Sequence, residues 1–240
     1  AVLGATLASG VFIGEAAAHE AGHMFGLQHQ SSYAADGTKT EYFAGDSLRA
    51  PIMGNSYLAA RGLWWSGHPS TSPTAIQDDV SIISATGFGT NNFGYRADEA
   101  GNTMATAASL TASGNNYNAS GVITTISYLD LYKFTLASTG NISFNLNVAP
   151  FGAMLDGKLL LEDSAGTALV TADSSSLGET ISASLTPGTY YIVATSHGGT
   201  GDIGQYTLSG SFSAATIAPP SDPANLQASV VSPTQVHLAW

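Results

Sequence analysis

The sequence predicts an α+β fold: a helix-bearing N-terminal part over residues 1–97, then an antiparallel β-sandwich or jelly roll over residues 115–213. Three observations predict it. Glu15 to Phe25 is Ala-rich and meets Gly26, which reads as a helix with a C-terminal glycine stop. Ser72-Pro73 reads as an N-cap and first-turn proline for a second helix with Ile76, Val80 and Ile83 at helical spacing. From Asn115 onward, short alternating apolar runs recur between turn residues at fairly even spacing.

Val11 to Ile13 is a short β-like apolar run ahead of the first helix, and residues 30–70 are irregular. Residues 98–114 are polar and rich in Gly and Asn, which predicts a linker. Predicted strands are Leu129 to Leu136, Ile142 to Val148, Lys158 to Leu161, Thr189 to Ala194 and Tyr206 to Phe212. Residues 214–224 hold the stiff run Ala218-Pro219-Pro220-Ser221-Asp222-Pro223. A new strand pair then opens, Asn225 to Val231 and Gln235 to Trp240.

Six Lys plus Arg against 17 Asp plus Glu give a formal net charge of −11. That balance argues against nucleic acid or an anionic membrane as partner. With no cysteine, disulfides, thiolate metal sites and thiol catalysis are excluded. The segment Ala1 to Gly14 is too short to span a bilayer and lacks the positive start of a signal peptide. The chain reads as a piece cut at both ends from an acidic secreted protein.

The run His19-Glu20-Ala21-Gly22-His23-Met24-Phe25-Gly26-Leu27-Gln28-His29 carries the chemistry. Residues four apart share a helix face, so His19 and His23 project two imidazoles to one point. Gly26 lets the chain turn so that His29 returns as a third ligand. Three protein ligands leave one zinc position open to water, the pattern of a catalytic site. Zinc lowers the pKa of such a water to roughly 7. Glu20, beside the first ligand, is placed to take its proton as general base.

This HExxHxxGxxH run resembles the motif of the metzincin zinc endopeptidases. Ala50-Pro51-Ile52-Met53-Gly54 looks like their Met-turn, which implies Met53 as an apolar floor under the imidazoles. Gln77-Asp78-Asp79-Val80 looks like the closing helix of matrixin-type domains, which implies that Asp79 anchors the Met-turn backbone. The resemblance therefore makes residues 1–97 the C-terminal portion of a metzincin-like catalytic domain, with zinc helix, Met-turn and closing helix. Gln30 fits none of the residues that sort the standard subfamilies. Asn55 stands where some members place a zinc-binding tyrosine; Tyr57 is off register, so no tyrosine ligand is expected. Metzincins carry a larger N-terminal subdomain, and only 18 residues precede His19 here, so the chain alone is expected to be unstable or inactive as a protease although its parent is active.

Residues 115–213 resemble the bacterial pre-peptidase C-terminal domain at Asp130-Leu131-Tyr132-Lys133-Phe134, Pro187-Gly188-Thr189-Tyr190-Tyr191 and Gly204-Gln205-Tyr206-Thr207-Leu208. That resemblance brings in calcium as a second ion. Because Tyr128 replaces the first acid of the Asp-x-Asp pair, weak calcium binding at most is expected. Residues 225–240 look like the first strands of a fibronectin type III domain. Together these features imply a secreted or cell-surface bacterial zinc endopeptidase acting on protein or peptide substrates. The alternative is a non-catalytic adhesion, polysaccharide-binding or protein-binding module with a degenerate peptidase part. His68 is expected to face solvent, and His197 to sit in a hairpin turn.

Overall fold

The computed structural model describes residues 10–216 and 225–239. The Pro-rich run 218–223 and Trp240 lie outside the described residues. The N-terminal part starts with α1 (Gly10–Met24), followed by β1 (Ser32–Tyr33), β2 (Lys39–Thr40), β3 (Arg49–Pro51), β4 (Arg61–Leu63), β5 (Ser66–Gly67) and β6 (Gln77–Asp78), and closes on α2 (Asp79–Ser84). β1–β2 and β5–β6 are antiparallel ribbons, whereas β3 and β4 run parallel.

The expected α+β class is overturned. Among the described residues strand accounts for 42% and helix for 9%, in two helices, so the fold is mainly β and not a helix-containing metzincin catalytic domain. The second helix explains part of the difference. Its N-cap is Asp78, whose side chain accepts from the Ser81 amide, so it begins six residues after Ser72. The Ser72 hydroxyl instead accepts from the Thr74 and Ala75 amides, a local turn that competes with helix. Gln77 and Asp78 are drawn into pairing with Ser66 and Gly67, and Ile76 is left 62% exposed. The β-like run Val11 to Ile13 is instead the first turn of α1.

The sandwich comprises β7 (Ala108–Ser109), β8 (Asn116–Ile123), β9 (Leu129–Leu136), β10 (Gly140–Val148), β11 (Gly157–Glu162), β12 (Ala168–Ala172), β13 (Glu179–Leu185), β14 (Gly188–Ser196) and β15 (Gly204–Ala214). One sheet runs β13-β10-β15-β8 and the other β12-β11-β14-β9-β7. Alternation sends Tyr132, Phe134 and Leu136 inward from β9 while Lys133 and Thr135 face out. Tyr117, Phe134, Phe144 and Tyr190 form a chain of ring contacts at 5.4–5.8 Å across the core. Each such pair adds about 0.5–1.5 kcal/mol beyond its burial.

Two findings go beyond the expected strands. The stretch 98–114 is built into the sandwich: Ala100 and Leu110 join its core, and β7 pairs parallel with β9. Met104 and Ala107 cover Leu131, Tyr191 and Val193 on the outer face, which accounts for β14 being buried on both sides. β8 also carried little apolar signal. Its inward positions include Gly121, where a Cβ would lie 2.5 Å from the Tyr206 hydroxyl and 2.6 Å from an Asp130 carboxylate oxygen.

The N-terminal part and the sandwich meet at Arg61. Its guanidinium donates to Asp202 Oδ1 at 2.8 Å and to the Met154 carbonyl at 2.9 Å, with Asp156 Oδ2 at 3.4 Å. Arg61 is 8% exposed and Asp202 fully buried. The last two strands, β16 (Gln227–Ser232) and β17 (Gln235–Ala239), form an exposed antiparallel hairpin. Among the described residues no helix is long and apolar enough to cross a membrane.

Candidate metal centre

α1 places His19 and His23 one turn apart on one face, and the chain then turns back. Gly26 makes that turn with φ +92°, a left-handed conformation that costs other residues about 1–2 kcal/mol. The Leu27 amide reaches the Gly22 carbonyl at 3.1 Å, which seals the helix end and carries His29 toward the first two rings. The three ring centroids stand 4.9, 5.3 and 4.9 Å apart, a near-equilateral triangle. One nitrogen from each lies within 4.8 Å of the others, the one such group of His, Asp or Glu among the described residues.

The outer nitrogens set the chemistry of the inner ones. His19 Nδ1 donates to the Ile52 carbonyl at 2.7 Å and His23 Nδ1 to the Leu27 carbonyl at 2.9 Å. His29 Nδ1 meets the Glu41 carboxylate at 2.7 Å. Every partner is an acceptor, so each Nδ1 carries a proton, and Nε2 is the nitrogen each ring turns inward as the potential ligand. His23 Nε2 and His29 Nε2 are 3.2 Å apart. At that separation the two nitrogens share either a proton or, when both are bare, a cation. Two nitrogens on one tetrahedral zinc at about 2.0–2.1 Å would stand roughly 3.3 Å apart, so the donor set fits the ion. Burial, together with the neighbouring His23 and His29, pulls the His19 pKa below its ordinary value, which favours the neutral ligand form.

Met53 is fully buried beneath this group. It packs on Gly22, where a Cβ would come within 2.3 Å of the Met53 sulfur, so Gly22 is what lets helix and sulfur touch. Asp79 is fully buried as well, but it does not bond the Met53 turn. Its Oδ2 accepts from the Trp65 amide, and its Oδ1 accepts from the side-chain amides of Gln30 and Gln77, all at 2.9 Å. Gln77 in turn clamps both backbone groups of Gln28, next to His29. The Gln30 amide donates to the Met53 carbonyl at 2.8 Å. Gln30, which fitted no subfamily pattern, therefore ties Asp79 to the Met53 segment.

Burial drives the Asp79 pKa up to about 6 from 3.8, against the pull of its three donors. A carboxyl that binds its proton more tightly when folded favours the fold most below about pH 3.8, and that advantage is lost as pH rises to about 6. The change corresponds to about 3 kcal/mol. Asp79→Asn removes this titration. The stability difference between wild type and variant, from urea unfolding at pH 4 to 7, is expected to shift by about that amount in favour of the variant. Parallel pH profiles for the two proteins would contradict it.

Glu20 is exposed, makes no ligand contact, and lines an open cavity of about 340 Å³ with His19, Tyr42, Asn55 and Tyr57. Glu41, missed in the sequence, is held by Lys39 and His29, whose bonds keep its carboxyl below the usual range. His68 is half-buried, with Nδ1 on the Ala75 carbonyl. His197 pairs with Asp173 at 2.7 Å. In the sandwich, Asp130 is fully buried and accepts from the Tyr206 hydroxyl at 2.5 Å.

No protein-family model matches this chain, and no curated protein matches it. Several solved structures are similar to parts of it, among them the following two. One is the pre-peptidase C-terminal domain of collagenase from Bacillus anthracis, 20% identical, at a TM-score of 0.35 over 49% of this chain and 99% of that one. The other is PliG of Aeromonas hydrophila, a periplasmic inhibitor of g-type lysozyme, 12% identical, at a TM-score of 0.36 over 44% of this chain and 96% of that one.

Proposed function

We propose that His19, His23 and His29 hold one zinc ion and that Glu20 serves it as general base in hydrolysing peptide bonds of protein substrates. The observation that carries this reading is the facing pair of Nε2 nitrogens on His23 and His29, 3.2 Å apart, with every Nδ1 committed elsewhere. When bound, zinc supplies Lewis-acid polarisation of the carbonyl and acidifies a water. Glu20 accepts the proton of the attacking water and returns it to the nitrogen of the leaving amine as the C–N bond breaks. The Ile52 and Leu27 carbonyls and the Glu41 carboxylate hold the imidazoles in their ligating tautomers. The motif's likeness to metzincin peptidases supports the choice of peptide bonds, and the acidic, cysteine-free composition supports a secreted bacterial setting.

Elemental analysis of the purified chain tests the metal site. About one zinc per chain is expected in the wild type and close to none in His23→Ala, with the sandwich's circular dichroism retained. Equal zinc contents in the two proteins would end the reading.

A second reading, a non-catalytic secreted module that binds protein or polysaccharide, is favoured by one observation. The sandwich owns a core of its own, from Ala100 to Leu208, that takes nothing from the histidine site. Zinc-loaded wild type that binds such partners yet cleaves no peptide would select it.

A further inference from the structure

Peptide hydrolysis builds negative charge on the carbonyl oxygen, and a donor aimed at that oxygen lowers the barrier. Several side chains lining the Glu20 cavity can donate, among them Tyr42, Asn55 and Tyr57. The Tyr57 ring lies edge-on against Phe12, 5.6 Å away toward the start of α1. The Tyr42 ring sits over the ligands instead, 4.4 Å from the His29 ring and 6.3 Å from the His19 ring.

The backbone around Tyr42 is pinned on both sides. Before it, Glu41 takes His29 Nδ1 on its carboxylate and the Ser31 hydroxyl on its carbonyl. After it, the Phe43 amide donates to the Gln30 carbonyl and the Phe43 carbonyl accepts from the Asn55 amide. The side chain itself stays 46% exposed, and its hydroxyl has no hydrogen-bond partner among the described residues. A rigidly mounted phenol with a free O–H, across the ligand rings and in the same cavity as the general base, is arranged to donate to something that enters.

We propose that Tyr42 is a further catalytic residue, whose hydroxyl donates a hydrogen bond to the oxygen that becomes negative as water adds to the peptide carbonyl. This rests on the zinc-hydrolase reading above. No bond to Tyr42 forms or breaks: its proton stays on the phenol, and the charge returns to the carbonyl when the amine leaves.

Tyr42→Phe keeps the ring on His29 and removes only the donor. The zinc-loaded full chain is tested in three ways: zinc content, kcat and KM on a peptide, and calorimetric affinity for a phosphinic peptide that mimics the tetrahedral species. The variant is expected to hold as much zinc as wild type, to lose about 10²–10³-fold in kcat with KM nearly unchanged, and to bind the phosphinic peptide correspondingly more weakly. A variant that binds the phosphinic peptide as tightly as wild type would overturn the proposal, as would one that loses zinc, which would make Tyr42 mere packing for His29. Wild type that binds zinc but neither cleaves peptide nor binds the phosphinic peptide removes the hydrolase reading itself, and the role of Tyr42 with it.

Discussion

Glu20→Gln protein is expected to keep about one zinc per chain while peptide hydrolysis falls by about 10²–10⁴-fold, the range for loss of a positioned general base. The substitution conserves shape and removes only the capacity to take a proton. Zinc should be retained because Glu20 stands outside the ligand set: the three inward nitrogens come from His19, His23 and His29, and their outer partners are Ile52, Leu27 and Glu41. The effect should lie in kcat, since an exposed residue of an open cavity contributes little to substrate affinity. Metal content, kcat and KM on one preparation suffice to check it. Turnover at the wild-type rate would remove Glu20 from the chemistry.

Arg61→Met is expected to destabilise the fold by about 3–5 kcal/mol, because it strands a buried charge. Asp202 is fully buried, and its Oδ2 already lacks a partner among the described residues. Arg61 is therefore its main source of compensation, and the same guanidinium also stands 3.4 Å from the Asp156 carboxylate. A double variant that also carries Asp202→Leu should recover most of the loss, since a buried pair replaced by apolar groups is often neutral. Urea unfolding of the three proteins measures both effects. A single variant within about 0.5 kcal/mol of wild type would show that the pair is solvated, as a surface bridge is.

Legibility followed sequence distance. The ligand spacing is local, four residues on a helix and then a glycine turn, so His19, His23, His29 and Gly26 could be read directly. What orients those rings is not local. The Ile52 and Leu27 carbonyls are backbone groups without a residue signature, and Glu41 reaches His29 from twelve residues away. Gly22 carries no signal of its own inside the motif; its role comes from Met53 packed against it. Strands with strict alternation, such as β9 and β15, were legible, whereas β8 was hidden because Gly121 and Ala119 take inward positions. The second helix was misread because Ser72-Pro73 satisfies a start signal locally, while pairing between Gln77-Asp78 and Ser66-Gly67 overrides it. The fold class failed on proportion: the sandwich strands carry most of the strand content, while the N-terminal part holds only short ribbons beside its two helices.

The contact between Arg61 and Asp202 spans 141 residues, and that span bears on how the chain is made. At about 5–20 residues per second, synthesis of Asp202 follows that of Arg61 by roughly 7–28 s. During that interval the histidine segment and Arg61 have been translated, but Arg61 lacks its closest acid partner. Ile52 both receives the His19 imidazole on its carbonyl and donates its own amide to Leu63, two residues beyond Arg61. The segment that orients His19 thus lies two residues from a cation whose buried partner is made 141 residues later, and a nascent chain halted before residue 202 would present the full metal motif with Arg61 lacking Asp202.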